Sequence, residues 1–230
     1  MIFDRTFTEG WIRRFGDSVL ATEPELTELD QQAGDGDFGA NLGAGLTLAV
    51  RALDRDRSAG EGAGAARVPL DITATVFLDE VGGTSGPLFG LLFQELAVSA
   101  EDTAPVLTTP GLAAGTEAGL AAVRRVGEAA PGDKTLIDAL APAAEALRRC
   151  PADLTPDQAL VTAAEGAWGG VRETAHLRAR RGRASYLGDR VSGVADPGAV
   201  GIALLFASAD GTVTELAPLL AERAEEERRP

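Results

Sequence analysis

Cysteine, histidine, tyrosine and methionine each occur only once in this 230-residue chain. A single cysteine, Cys150, excludes an internal disulfide, and one histidine with one cysteine leaves no ligand set for zinc. His176 stands on the polar part of a predicted helix, with no serine or cysteine that the sequence places beside it, and reads as a surface residue. Long apolar runs are also missing. None reaches the length of a membrane span, and the N-terminal MIFDRTFTEGWIRRFGD lacks the form of a signal peptide, so no membrane association is expected and the expected compartment is cytoplasmic. Net positive charge is absent as well: the formal charge is -14. Nucleic acid or an anionic membrane would be repelled over most of such a surface. Any phosphate ligand must be held locally, by metal, arginine or backbone N–H groups.

What is present is ample apolar material, 45% of residues, enough for one compact domain spanning 1–230. Alanine and leucine recur at spacings of three and four, and alternating β-branched runs are nearly absent, so the predicted fold is all-α. Thr8 to Leu20 reads as a first helix with Trp11, Phe15 and Val19 on one face. Thr22 and Glu25 have the spacing of a capping box and predict the start of a second helix, which delivers Asp30 to the loop that follows.

That loop, within LDQQAGDGDFGANLG, places Asp30, Asp35 and Asp37 within eight positions. Gly34 and Gly36 let the backbone turn sharply, so the three carboxylates can converge, and convergent carboxylates repel one another unless a cation lies between them. Oxygen ligands on a loop favour Mg²⁺ or Ca²⁺. An EF-hand is excluded, because a loop starting at Asp35 would carry Gly39 at its fifth position and Leu46 where the bidentate glutamate belongs. A solvated acidic loop beside a capped helix is the plain alternative. The next helix, with Leu42, Leu46, Ala49 and Leu53, begins close to Gly39 and aims its free N–H groups at the same place.

Asp56 to Arg67 is expected to be a flexible connection, followed by a helix from about Asp71 to Val81. Gly82-Gly83-Thr84-Ser85-Gly86 is a second candidate anion cradle, although a tight turn between helices has the same composition. Pro87 opens a helix carrying Leu88, Leu92 and Leu96. Pro110–Ala129 and Thr135–Arg149 read as two more helices. Thr155-Pro156-Asp157-Gln158 starts a long one, predicted to run to about Arg180. It leads into RARRGRASYLGDR, the only dense basic cluster in the chain, from which Arg183 is the favoured inward-facing guanidinium. Asp196-Pro197-Gly198 begins an apolar helix, and Thr212–Glu227 a last amphipathic one. Trp168 and Cys150 read as packing or surface residues.

Five blocks, LDQQAGDGDFGAN, GGTSGPLFG, PGDKTLIDAL, GRASYLGDR and DPGA, occur in an order that resembles the nucleotide-binding L subunit of dihydroxyacetone kinases. The resemblance spans about Leu29 to Ala199. It implies an antiparallel eight-helix barrel or bundle that binds ADP or ATP at one rim, with two Mg²⁺ ions bridging the aspartates and the phosphates. On that reading Asp30, Asp35 and Asp37 are the metal ligands and, with Arg183, the catalytic set. Phe38, Gly39, Ala40 and Asn41 with Thr84 and Ser85 would lie at the phosphate end. Gly127 and Leu136 would lie at the adenine, Arg183 at the phosphates, and Asp196, Pro197 and Gly198 at the nucleoside. The implied activity is phosphoryl transfer to dihydroxyacetone or a related short ketose held on a K-type partner subunit, whose own histidine captures the ketose covalently. The donor would be ATP or an M-type phosphoprotein of the sugar phosphotransferase system. Phe38 departs from the family, in which that position usually carries a polar residue, often histidine. A non-catalytic nucleotide- and metal-binding regulatory module is the rival reading, and a free-standing Mg-dependent phosphohydrolase, lacking a placed general base, the weakest.

Overall fold

The computed structural model describes residues 2–58, 65–101, 106–186 and 188–221. Among them there is helix and no strand. The helices are α1 (Arg5–Ala33), α2 (Phe38–Ser58), α3 (Arg67–Asp79), α4 (Ser85–Glu101), α5 (Thr109–Gly127), α6 (Ile137–Arg149), α7 (Pro156–Thr174) and α8 (Pro197–Ala207). Two 3₁₀ turns, Arg183–Tyr186 and Gly188–Val191, lie between α7 and α8, and a single turn α9 (Ala217–Leu220) follows. No described helix is long and apolar enough to cross a membrane.

Each helix packs on its sequence neighbours, and α8 returns to α1, so the eight form a closed circuit. The core is a block of aromatic rings, with Phe15 stacked on Phe89 at 6.4 Å between centroids and Phe77 tilted against Phe93 at 5.6 Å. Val200 to Phe206 of α8 are buried all round, as its uniformly apolar sequence requires. The seam with α1 is polar and specific. Trp11 Nε1 donates to Leu205 O at 2.7 Å, and the Arg14 guanidinium donates to the carbonyls of Ser208 and Ala209, satisfying the end of α8.

Three expectations are corrected. The first two helices are one, α1, 29 residues long. Thr22 does not cap: its hydroxyl donates to Ser18 O at 2.8 Å, and Glu25 reaches away to accept from the backbone N–H groups of Leu216 and Ala217. Pro24 lies inside the helix but on its exposed side, and burial of Val19 and Leu26 carries the helix past the lost donor. The long helix ends at Thr174 instead of Arg180, passing into a turn in which the Thr174 carbonyl accepts from Leu177 N–H and from the ammonium of Lys134. The last helix is only α9 among the described residues; the rest of Thr212–Glu227, from residue 222, lies outside them. The expected flexible connection also falls outside at 59–64, while α2 continues to Ser58.

Candidate functional site

A cavity of about 370 Å³ opens where the end of α1, the start of α2, the 82–85 turn, the end of α5, the 129–137 loop, the Arg183 turn and the start of α8 meet. Asp30, Asp35 and Asp37 line one side, with Asn41 beside them. Thr84, Ser85, Gly127, Leu136, Arg183, Asp196, Pro197 and Gly198 line the cavity as well. Gly39 and Ala40 stand outside the lining. Gly39 faces α1, where an added Cβ would lie 3.1 Å from Glu23 O and from Leu26 Cβ, and Ala40 is exposed. Phe38 borders the cavity but is buried, and its ring tip is the neighbour that a Cβ on Gly201 of α8 would strike at 2.9 Å.

Asp30 joins two helices: its carbonyl accepts from Gly34 N–H and its Oδ2 accepts from Phe38 N–H at 3.0 Å. Between them Gly36 turns at φ +80°, a conformation that favours glycine. The result brings one carboxylate oxygen of each of Asp30, Asp35 and Asp37 within 4.8 Å of the others. Burial raises the pKa of Asp30 above the ordinary carboxylate value, with the charges of Asp35 and Asp37 adding to the rise and the Phe38 N–H opposing it. One buried and two exposed hard oxygen ligands, mutually repelling, suit a hydrated divalent cation such as Mg²⁺. Arg183 supplies a cation of the protein's own, its guanidinium ion-paired with Asp35 Oδ2.

Near Asn41, whose side-chain nitrogen lies 3.9 Å from where a Cβ on Gly83 would stand, Gly83 turns at φ +77° and α4 begins at Ser85, so that the first turn of α4 stands at the cavity. Phe77, Leu88, Val123 and Ile137 add an apolar wall. A lining that combines charged groups with an apolar wall matches a ligand that carries both phosphates and a flat base.

The 130–138 loop is folded on its own acids. Asp133 Oδ2 accepts from Ala130 N–H at 2.9 Å, and Asp138 accepts from Gly132 and Thr135 N–H at 2.5 and 2.8 Å. Lys134, at φ +62°, is 1% exposed and donates to Thr174 O at 2.5 Å and Val194 O at 2.6 Å. Burial lowers its pKa, against the attraction of Asp196 and Asp138. Lys134 was not marked by sequence reasoning, since PGDK reads as an ordinary turn. A signal was available, because it is the only lysine among 21 basic residues.

Asp196 caps α8, accepting from Ala199 N–H at 2.8 Å, while its own N–H donates to Thr174 Oγ1 at 2.9 Å. Part of the residue is open to the cavity, but its carboxyl is desolvated, and burial pushes its pKa up to about 7.

Residues 32–210 match the DAK2 domain family model. The ADP-binding subunit DhaL of the PEP-dependent dihydroxyacetone kinase of Escherichia coli K12 is 37% identical over 206 residues, 88% of this chain and 94% of that one. A PEP-dependent dihydroxyacetone kinase 1 ADP-binding subunit from Listeria innocua is 34% identical over 212 residues, 90% and 96% of the two chains. The L-erythrulose 1-kinase of Mycolicibacterium smegmatis is 37% identical over 80% of this chain, which spans only 31% of that longer protein. The dihydroxyacetone kinase of C. freundii, in a complex with AMP-PNP and Mg²⁺, shares the fold with a TM-score of 0.64 at 24% identity, over 90% of this chain and 33% of that one.

Proposed function

This chain belongs to the DAK2 domain family, and on that premise we propose that it is the ADP- and Mg²⁺-binding subunit of a kinase acting on dihydroxyacetone or a related short ketose. The observation that carries the reading is the convergence of three carboxylates within 4.8 Å at the mouth of a cavity that is also lined by a glycine-rich turn and the start of a helix. Relatives named as ADP-binding subunits and a relative fold solved with AMP-PNP and Mg²⁺ support the same ligands.

Asp30, Asp35 and Asp37 would hold the Mg²⁺, as two ions on the family resemblance, and the metal would neutralise charge on the phosphoryl oxygens. Asn41, Thr84, Ser85 and the start of α4 donate to phosphate. Arg183 compensates charge at the mouth. Gly127 and Leu136 border the base, and Asp196, Pro197 and Gly198 the nucleoside. Phosphoryl transfer needs positioning and charge stabilisation more than a protein nucleophile, so the lack of a placed nucleophile is no obstacle. The acceptor ketose is held by a K-type partner subunit, and the donor is ATP or an M-type phosphoprotein.

Calorimetry tests the ligand half of the reading: ADP should bind with Mg²⁺ and fail to bind with chelator, and equal affinity in both would remove the aspartates from the site. Reconstitution tests the other half. The purified chain should not phosphorylate dihydroxyacetone alone and should do so with a matching K-type subunit; turnover without a partner would contradict the divided mechanism.

A further inference from the structure

The segment carrying Arg183 leaves the helical frame at Thr174 and rejoins it at Pro197. Among the described residues its apolar anchorage is slight: Ala179, Ala184 and Val191 bury with Ala33 of α1, three of these four side chains being a single methyl group, and Val194 packs partly buried beside them. Tyr186, its one large aromatic residue, is 90% exposed. Yet the segment puts Arg183 at the cavity mouth against Asp35. Polar contacts add to that small apolar anchorage.

At the neck, Gly193 N–H donates to Ala175 O at 2.9 Å and Asp196 N–H to Thr174 Oγ1. Lys134 reaches both strands of this neck from the 130–138 loop, with Nζ bonded at once to Thr174 O and Val194 O. Its neighbour Asp133 takes Arg180 N–H on its carbonyl at 3.0 Å, and its carboxylate lies 3.8 and 3.9 Å from the guanidinium groups of Arg180 and Arg181. The residue type matters. A single ammonium nitrogen can send separate donors to two converging carbonyls, whereas a planar guanidinium spreads its donors over a wider fork. A chain that otherwise uses arginine for every basic residue carries its one lysine here.

We propose that Lys134 is a positioning residue for Arg183: by stapling the two strands of the neck, its buried ammonium fixes where the guanidinium stands relative to bound nucleotide. The inference rests on the nucleotide-binding reading above, but the staple itself can be tested without it.

The full chain carrying Lys134→Met is compared with wild type by two readouts, trypsin cleavage between Arg178 and Arg183, and ADP·Mg affinity by calorimetry. Cleavage should accelerate and affinity fall, each by about tenfold or more, the scale of losing a buried charge-assisted hydrogen bond. In an Arg183→Ala background, adding Lys134→Met should cost little further affinity, since two residues acting through one contact are not additive. Thr174→Val, which loosens the same neck without removing a charge, should move both readouts in the same direction and decides the matter if Lys134→Met does not fold. A folded Lys134→Met with wild-type cleavage overturns the staple. Faster cleavage with unchanged affinity, or an additive double variant, overturns the positioning role. If wild type binds no ADP, the proposed function fails, and the cleavage comparison still settles whether the staple exists.

Discussion

Arg183 and Asp35 are ion-paired at the mouth of the cavity, although they stand 148 positions apart in the chain. The same Asp35 carboxylate belongs to the three-aspartate cluster, so the guanidinium and a divalent cation compete for one carboxylate.

Arg183→Ala should therefore separate two effects. ADP·Mg binding should weaken by about 1.5–3 kcal/mol, the scale of a charge-assisted hydrogen bond. Binding of Mg²⁺ alone should not weaken, and should tighten as the competing cation is removed. Calorimetry with metal alone and with metal plus ADP measures both; unchanged ADP affinity would place Arg183 outside the nucleotide site.

Asp35→Asn should abolish Mg²⁺-dependent ADP binding and the reconstituted transfer activity while leaving the fold intact. Asp35 is exposed on a loop, and substitutions of that kind change stability by no more than about 0.5 kcal/mol. Circular dichroism and thermal melting are the controls.

The pH dependence of stability should carry the mark of Asp196. Its pKa is raised by the fold to about 7, so the folded protein prefers the protonated acid. Stability from this group is complete below its unfolded value of about 3.9 and is lost as pH rises through the folded one. Asp196→Asn keeps the capping oxygen and removes the titration. The variant should gain stability relative to wild type between pH 5 and pH 8, measured by urea denaturation at each pH; a constant difference would mean that the carboxyl is already ionised across that range.

Phe38 and Gly201 should behave as a packed pair. Gly201→Ala places a methyl 2.9 Å from the Phe38 ring and 3.0 Å from that of Phe89, and should cost about 1–3 kcal/mol by overpacking. Phe38→His should cost a similar amount, about 1–3 kcal/mol, by burying a polar ring in an apolar niche, without a gain in ADP affinity. A rise in affinity and turnover would show that the imidazole turns to the phosphates and that Phe38 marks a lost contact.

Short-range features were the legible ones. Asp30, Asp35 and Asp37 are close in sequence, and the glycines among them announce a turn, so their convergence could be argued from the chain alone. Arg183 stood out as a basic residue beside a glycine in an acidic protein. Contacts between distant segments were not legible. Thr22 and Glu25 have the form of a capping box, but Glu25 instead serves Leu216 and Ala217, more than 190 positions away. Phe38 reads as a substitution in a phosphate loop until Gly201 is placed across from its ring. Lys134 lies in a turn-forming PGDK, and only the fold shows that its left-handed backbone sends the side chain inward.

The closed circuit of helices has a kinetic consequence. Seven of its eight contacts join neighbours in sequence and close only short loops, whereas the contact of α1 with α8 closes almost the whole chain. Loop entropy makes that union the costly one, so helix pairs are expected to assemble early and the ring to shut late. Trp11, bonded to Leu205 O across the closing joint, is a built-in reporter of that event. In stopped-flow refolding of a Trp168→Phe variant, which leaves Trp11 as the sole tryptophan, its fluorescence should follow the slowest phase, after helical circular dichroism has largely recovered.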